Sequence, residues 1–156
     1  MKTLFLMRHG HSPSASEAGV ATDALRPLSK QGREEILSMA QELSKRSGRP
    51  GLILHSPLTR AAQTGAAAAE ALCLQKAAEV FAPLDNTLPP EEVLAALAAR
   101  AGNVEKVLAV GHQPQVGEIT MLLTRTLFDF RPGGIVAVEL GEKNRLLWTL
   151  NYDELR

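Results

Sequence analysis

Apolar residues in this chain come in short unbroken runs rather than in strict alternation. Thr3–Met7, Leu52–Leu54, Val107–Val110 and Ile135–Leu140 are the clearest, and Leu146–Leu150 follows the same pattern. A strand covered on both faces has no solvent side to keep polar, so such runs predict buried strands. Val80–Ala82 predicts a minor strand or a loop. Between the runs the spacing becomes helical. Ile36, Met39, Ala40 and Leu43 share one face of a helix that Ser29 is placed to cap, running to about Ser44. Ser56-Pro57 reads as N-cap and first residue of an alanine-rich helix through Leu74. Pro89-Pro90-Glu91-Glu92 opens a third helix, with acids in its first turn and Gly102 at its end. Pro114 opens a fourth, carrying Val116, Ile119, Leu122 and Leu123.

Strand and helix alternate, which predicts an α/β fold of three layers, α/β/α, with a mostly parallel sheet. The last two runs, joined by Gly141-Glu142-Lys143-Asn144, predict a hairpin that adds an antiparallel edge. Pro13–Arg26 is polar and small-residued, an exposed loop and a candidate lid after the first strand.

At 156 residues, a single domain spanning 1–156 is expected. Lys plus Arg is 17 and Asp plus Glu is 17, so no broad basic face is available for nucleic acid. A small basic pocket remains compatible with that balance. The single cysteine, Cys73, excludes an internal disulfide and a cysteine-rich zinc site, and reads as a small buried residue on a helix. No apolar run approaches the ~20 residues a bilayer span needs, and the run at Leu4–Met7 is too short for a signal segment. A cytoplasmic protein without membrane contact is the expectation.

Three segments carry the candidate chemistry, and each directly follows a predicted strand. They are Arg8-His9-Gly10, Ser56-Pro57-Leu58-Thr59-Arg60 and Gly111-His112-Gln113-Pro114. In open α/β sheets the C-terminal strand edge is where ligands bind. Two guanidinium forks, two imidazoles and helix N-termini on one rim would make an anion pocket. A neutral imidazole can attack phosphorus while the neighbours stabilise charge on the equatorial oxygens. A zinc pair from His9-x-His11 lacks further ligands at short range, and no Gly-rich phosphate loop with a following lysine is present. His55 reads as strand-end packing and His11 as a rim or solvent residue.

Arg8-His9-Gly10, Ser56-Pro57-x-x-Arg60-Ala61-x-Gln63-Thr64 and Gly111-His112-x-Pro114, in that order, resemble the histidine phosphatase superfamily, also called phosphoglycerate mutase-like. The resemblance spans Met7 to about Leu140. Asp23-x-x-Arg26-Pro27-Leu28-Ser29-x-x-Gly32 and Phe130-x-Pro132-Gly133-Gly134 are similar to its small SixA-type phosphohistidine phosphatases. The resemblance implies a phosphoglycerate mutase-like fold, His9 as the transiently phosphorylated nucleophile, and Arg8, Arg60 and His112 as the phosphate-binding residues, with Ser12 as a further loop hydroxyl near it. It implies no metal and no organic cofactor. The implied substrate is a phosphohistidine-carrying protein or a small phosphorylated molecule.

One feature departs from many superfamily members. No acidic, glycine-containing motif supplies a general acid between Arg60 and His112. Asp85, Glu91 and Glu92 occupy that interval, Asp85 as an open candidate and the glutamates as first-turn helix residues. An alcohol ester expels a poor leaving group that needs a proton, whereas a phosphohistidine expels an imidazole of pKa about 6.5. The sequence therefore favours a P–N substrate. A sugar or glycerate phosphatase or mutase is the enzymatic alternative. A non-catalytic phosphopeptide-binding module is the other, though such a module is expected to lack His9 or one of the arginines, and all four pocket residues are present.

Overall fold

The run after Thr3 lies at the middle of a sheet, where its lack of a polar face requires it to be. In the computed structural model, which describes residues 1–155, the elements follow in order. They are β1 (Thr3–Arg8), α1 (Ala15–Ala18), α2 (Lys30–Ser47), β2 (Leu52–His55), α3 (Thr59–Leu72), β3 (Ala78–Val80), α4 (Pro90–Ala101), β4 (Lys106–Gly111), α5 (Gln115–Thr124), β5 (Ile135–Glu139) and β6 (Arg145–Leu150). Among the described residues these strands form a six-stranded sheet in the order β3-β2-β4-β1-β5-β6. β1 to β4 pair in parallel, and β5 and β6 add the antiparallel edge that the hairpin pattern predicted.

Side chains alternate across the sheet and feed two cores. Phe5, Met7, Ile53, Leu108, Val110, Ile135 and Ala137 pack with Ile36, Met39 and Leu43 of α2 and the alanines of α3. Leu4, Leu6, Leu54, Val107, Ala109, Val136 and Val138 pack on the opposite face with α4 and α5. This is the expected three-layer arrangement. Among the described residues, no helix is long and apolar enough to cross a membrane.

The N-terminus of α2 docks tightly on the turn after β1. A Cβ at Gly32 would lie 2.5 Å from the His11 carbonyl oxygen, and one at Gly10 would lie 2.7 Å from Leu28 Cδ1. Gly32 is thus required for space, because its nearest neighbours are backbone atoms, whereas the Leu28 side chain over Gly10 can turn aside. Ser29 caps α2 as expected, accepting from the Gly32 amide at 2.9 Å, while its own amide donates to the His11 carbonyl.

Several expectations need correction. Ser56-Pro57 does not cap α3; the helix starts at Thr59, and its N-cap Leu58 has no side chain that can accept. Ser56 instead stays at the strand end, where its hydroxyl accepts from the Leu58 amide. The third parallel strand is Ala78–Val80, displaced from Val80–Ala82, because Ala82 opens a 3-10 turn to Leu84. Cys73 is exposed rather than buried, and ends α3 in the left-handed region at φ 56°. Leu122 is exposed, while Val116 and Ile119 form the buried stripe of α5. The segment Pro13–Arg26 is not bare loop. Ser14 and Glu17 close a capping box around α1, and Asp23–Leu25 forms a 3-10 turn.

Candidate active site

Strand register assembles the site. Arg8 pairs with Gly111 across β1 and β4, and His55 pairs with Val110 across β2 and β4. The residues just past those pairs are His9, His112 and Ser56, so three C-terminal strand ends place them side by side. The ladder continues one step further, with the His9 amide donating to Gly111 and the Ser56 amide to Val110. The His9 and His112 rings lie 5.2 Å apart between centroids. Arg60, in the first turn of α3, brings its Nε to 3.3 Å from His9 Nε2.

These side chains and the turn that carries them are braced. His9 Nδ1 lies 2.8 Å from the Gly10 carbonyl, which can only accept. The proton therefore sits on Nδ1 and Nε2 keeps its lone pair. Arg8 donates from Nη1 to the Phe130 carbonyl, and the Gly133 amide donates back to the Arg8 and His9 carbonyls. The late Phe130-x-Pro132-Gly133-Gly134 motif is thus the brace of the first one. Thr64 Oγ1 donates to the Arg60 carbonyl and accepts from the Gly10 amide, tying α3 to the turn after β1. Gln63 Oε1 accepts from the Leu28 amide.

The site is buried and positive. His9 is 9% exposed, Arg60 8% and His112 3%. Burial pushes the His9 imidazole down to about 3, and the charges of His112, Arg60 and Arg8 act in the same direction. Burial likewise pushes His112 down to about 4, with Arg60 adding to it and Asp23 and Asp85 opposing. Burial lowers Arg8 as well, against the opposing charge of Asp129. Two buried polar nitrogens of this group, Arg8 Nε and His112 Nδ1, have no protein partner. Buried donors without partners are uncommon, and a tetrahedral anion with several acceptor oxygens is a ligand that would satisfy them.

All four predicted residues therefore come together. Other candidates do not join them. His11 is exposed with its ring on Ser29, so it diverges from His9 and cannot share a metal with it. Ser12 turns its hydroxyl to the Pro27 carbonyl. His55 packs against Gly65 and its Nδ1 donates to the Ser56 carbonyl. Asp85 is half-buried and its carboxylate accepts from the Thr87 amide and hydroxyl. Glu91 and Glu92 are exposed in the first turn of α4.

Two participants escaped the sequence reading. Asp23 accepts from Arg60 through both its carbonyl (2.9 Å) and its carboxylate (3.1 Å), and its other oxygen accepts from Arg26. The Arg26 hydrogen bond first, and the charge of Arg60 after it, hold the Asp23 carboxyl below its usual range. Ser56 is fully buried, with its hydroxyl 2.7 Å from His112 Nε2. Asp23 stands in the quoted SixA-type stretch, but nothing local says it reaches a helix 37 residues on.

Comparisons with known proteins give the family and the fold. The profile of the histidine phosphatase superfamily (branch 1) matches residues 4–81. The chain is 34% identical to phosphohistidine phosphatase SixA of Escherichia coli (strain K12) over 142 residues, 89% of this chain and 86% of that one. It is also 34% identical to an uncharacterized protein of Picosynechococcus sp. over 149 residues, 88% of this chain and 85% of that one. Among solved structures, protein histidine phosphatase SixA complexed with tungstate superposes with a TM-score of 0.88 at 30% identity, covering 99% of each chain.

Proposed function

This chain belongs to the histidine phosphatase superfamily, and from that premise we propose that it removes phosphoryl groups from phosphohistidine on a protein, through a phosphorylated His9. The lone pair of His9 Nε2 attacks phosphorus in line. The substrate P–N bond breaks, its electron pair stays on the departing imidazole nitrogen, and a P–N bond to His9 forms. Water then attacks the phosphoryl group, the P–N bond to His9 breaks with its electron pair returning to Nε2, and His9 leaves as the neutral imidazole it began as, still protonated on Nδ1, while both water protons stay on the released phosphate. Arg8, Arg60 and His112 hold the three equatorial oxygens through both steps, supplying donors already in place before charge develops. No metal or organic cofactor enters the cycle.

The observation that carries this reading is the state of His9. It is buried, neutral, protonated on the nitrogen facing the Gly10 carbonyl, and has its other nitrogen beside a guanidinium. A nucleophile needs that unprotonated nitrogen, whose lone pair accepts from Arg60 Nε until a phosphoryl group takes its place, and a structural histidine does not need two arginines next to it. The choice of a P–N substrate rests on the carboxylates. Among the described residues of the 85–92 interval, Asp85 is engaged by Thr87 and the two glutamates face solvent. An imidazole leaving group can depart without them.

A second reading has one observation behind it. The Asp85 carboxylate, held by Thr87, is near enough to His112 for its charge to act there, which makes it the carboxyl that would serve an alcohol ester as acid. Turnover of a phosphohistidine protein, a sugar phosphate and para-nitrophenyl phosphate by the purified chain separates the two. Hydrolysis of the first alone supports the proposal, preference for the sugar phosphate supports the second reading, and no turnover of any leaves a binding module.

A further inference from the structure

Ser56 is buried at the end of β2 with 0% exposure. Its oxygen accepts from the Leu58 amide at 3.1 Å and lies 2.7 Å from His112 Nε2. Among the described residues, its hydroxyl proton has no acceptor other than that nitrogen. If Nε2 carried the proton, the oxygen would accept twice and a buried O–H would be stranded. If Ser56 donates, both the amide and the hydroxyl are satisfied, and the one group left open is the His112 Nδ1–H, a donor that an anion in the site would take. The His112 proton then sits on Nδ1, the atom that is buried without a protein partner, on a ring whose centroid lies 5.2 Å from that of His9.

We infer that Ser56 is a positioning residue that sets the tautomer of His112, so that His112 presents an N–H to the phosphoryl group while His9 presents a lone pair. The two imidazoles are then the same tautomer, each protonated on Nδ1, and are held to it from different sides. The Gly10 carbonyl accepts from His9, and the Ser56 hydroxyl donates to His112. Opposite roles follow from which nitrogen each ring turns to the ligand. Retaining Ser56 at the strand end is what places its hydroxyl there, which accounts for its absence from the cap of α3. The inference rests on the reading of His112 as a phosphoryl-binding residue.

Nitrogen-15 NMR of the histidine rings in the free, full chain near neutral pH tests it first. The expected spectrum shows His112 with Nε2 bare and Nδ1 protonated; a protonated Nε2 overturns the inference. Ser56→Ala then removes the hydroxyl. In the folded variant the His112 proton should redistribute toward Nε2, and tungstate affinity should fall about tenfold, the low end for a hydrogen bond to a charged group. An unchanged tautomer with unchanged affinity overturns it. If Ser56→Ala fails to fold, Ser56→Cys keeps a weaker donor of similar size and should show the same redistribution in part, whereas an unchanged tautomer in Ser56→Cys counts against the inference. A wild-type chain with the expected tautomer that binds no tungstate would support the Ser56 assignment and refute the phosphatase reading, so the two failures are distinct.

Discussion

Lowering the pH from 7 to 5 should destabilise this fold through the same two imidazoles that form its site. Above the ordinary histidine pKa of about 6.5, neither the folded nor the unfolded chain holds these protons. Below it the unfolded chain takes them up, while folded His9 and His112 resist until about 3 and about 4. The unfolded state then binds more protons, so stability is lost as pH falls through that window. At pH 5 the gap is about 1.5 pH units at about 1.36 kcal/mol each, hence about 2 kcal/mol per imidazole and about 4 kcal/mol for the pair. That is a large share of the roughly 5–15 kcal/mol that holds a typical domain folded. Denaturant titrations at pH 7 and pH 5 measure it, with a His9→Gln, His112→Gln double variant as reference. The wild type should lose about 4 kcal/mol more than the double variant between those pH values. Equal losses in both would refute the claim that the buried site keeps its histidines neutral.

Arg60→Ala removes one guanidinium from the anion pocket and should weaken tungstate binding by about 10- to 150-fold, the range for a charged hydrogen bond; calorimetry showing unchanged binding would take Arg60 out of the site. Gly32→Ala puts a Cβ 2.5 Å from a backbone oxygen that cannot yield, so it should lower the melting temperature despite alanine's better helix propensity, by roughly 1–3 kcal/mol of strain. A variant as stable as the wild type would mean that α2 is free to shift. Asp85→Asn should leave phosphohistidine turnover within about threefold, because the general-acid contribution, about 100-fold or more where present, is not needed for an imidazole leaving group.

Strands β1, β2, β4 and β5 were legible because burial leaves an apolar run, whereas β3, half-buried to exposed, was displaced; Arg8, His9 and His112 were legible because they follow such runs, and Arg60 because it opens the helix after one. Their convergence was legible only as an ordered trio of motifs, since strand order is not written in any one segment. It is the parallel register Arg8 to Gly111 and His55 to Val110 that turns three separate rims into one site. Ser56-Pro57 misled because a serine before a proline has the local chemistry of a helix cap, while a tertiary partner, His112, held that hydroxyl at the strand end. Asp23 went unassigned because its contact with Arg60 joins a loop to a helix remote in sequence. The motif residues Gln63, Thr64, Phe130 and Gly133 carried no chemistry on inspection, and the structure shows why: Thr64 and Gly133 hold the backbone from Arg8 to Gly10, the Phe130 carbonyl holds the Arg8 guanidinium, and Gln63 holds the Leu28 amide ahead of α2.

Rapid-quench mass spectrometry of the wild type during turnover of a phosphohistidine protein asks most directly whether His9 is the nucleophile. An acid-labile phosphoryl adduct should be found on the peptide bearing His9, and His9→Ala should be folded, free of adduct and inactive. Steady turnover by folded His9→Ala, or an adduct seated on another residue, would contradict the account.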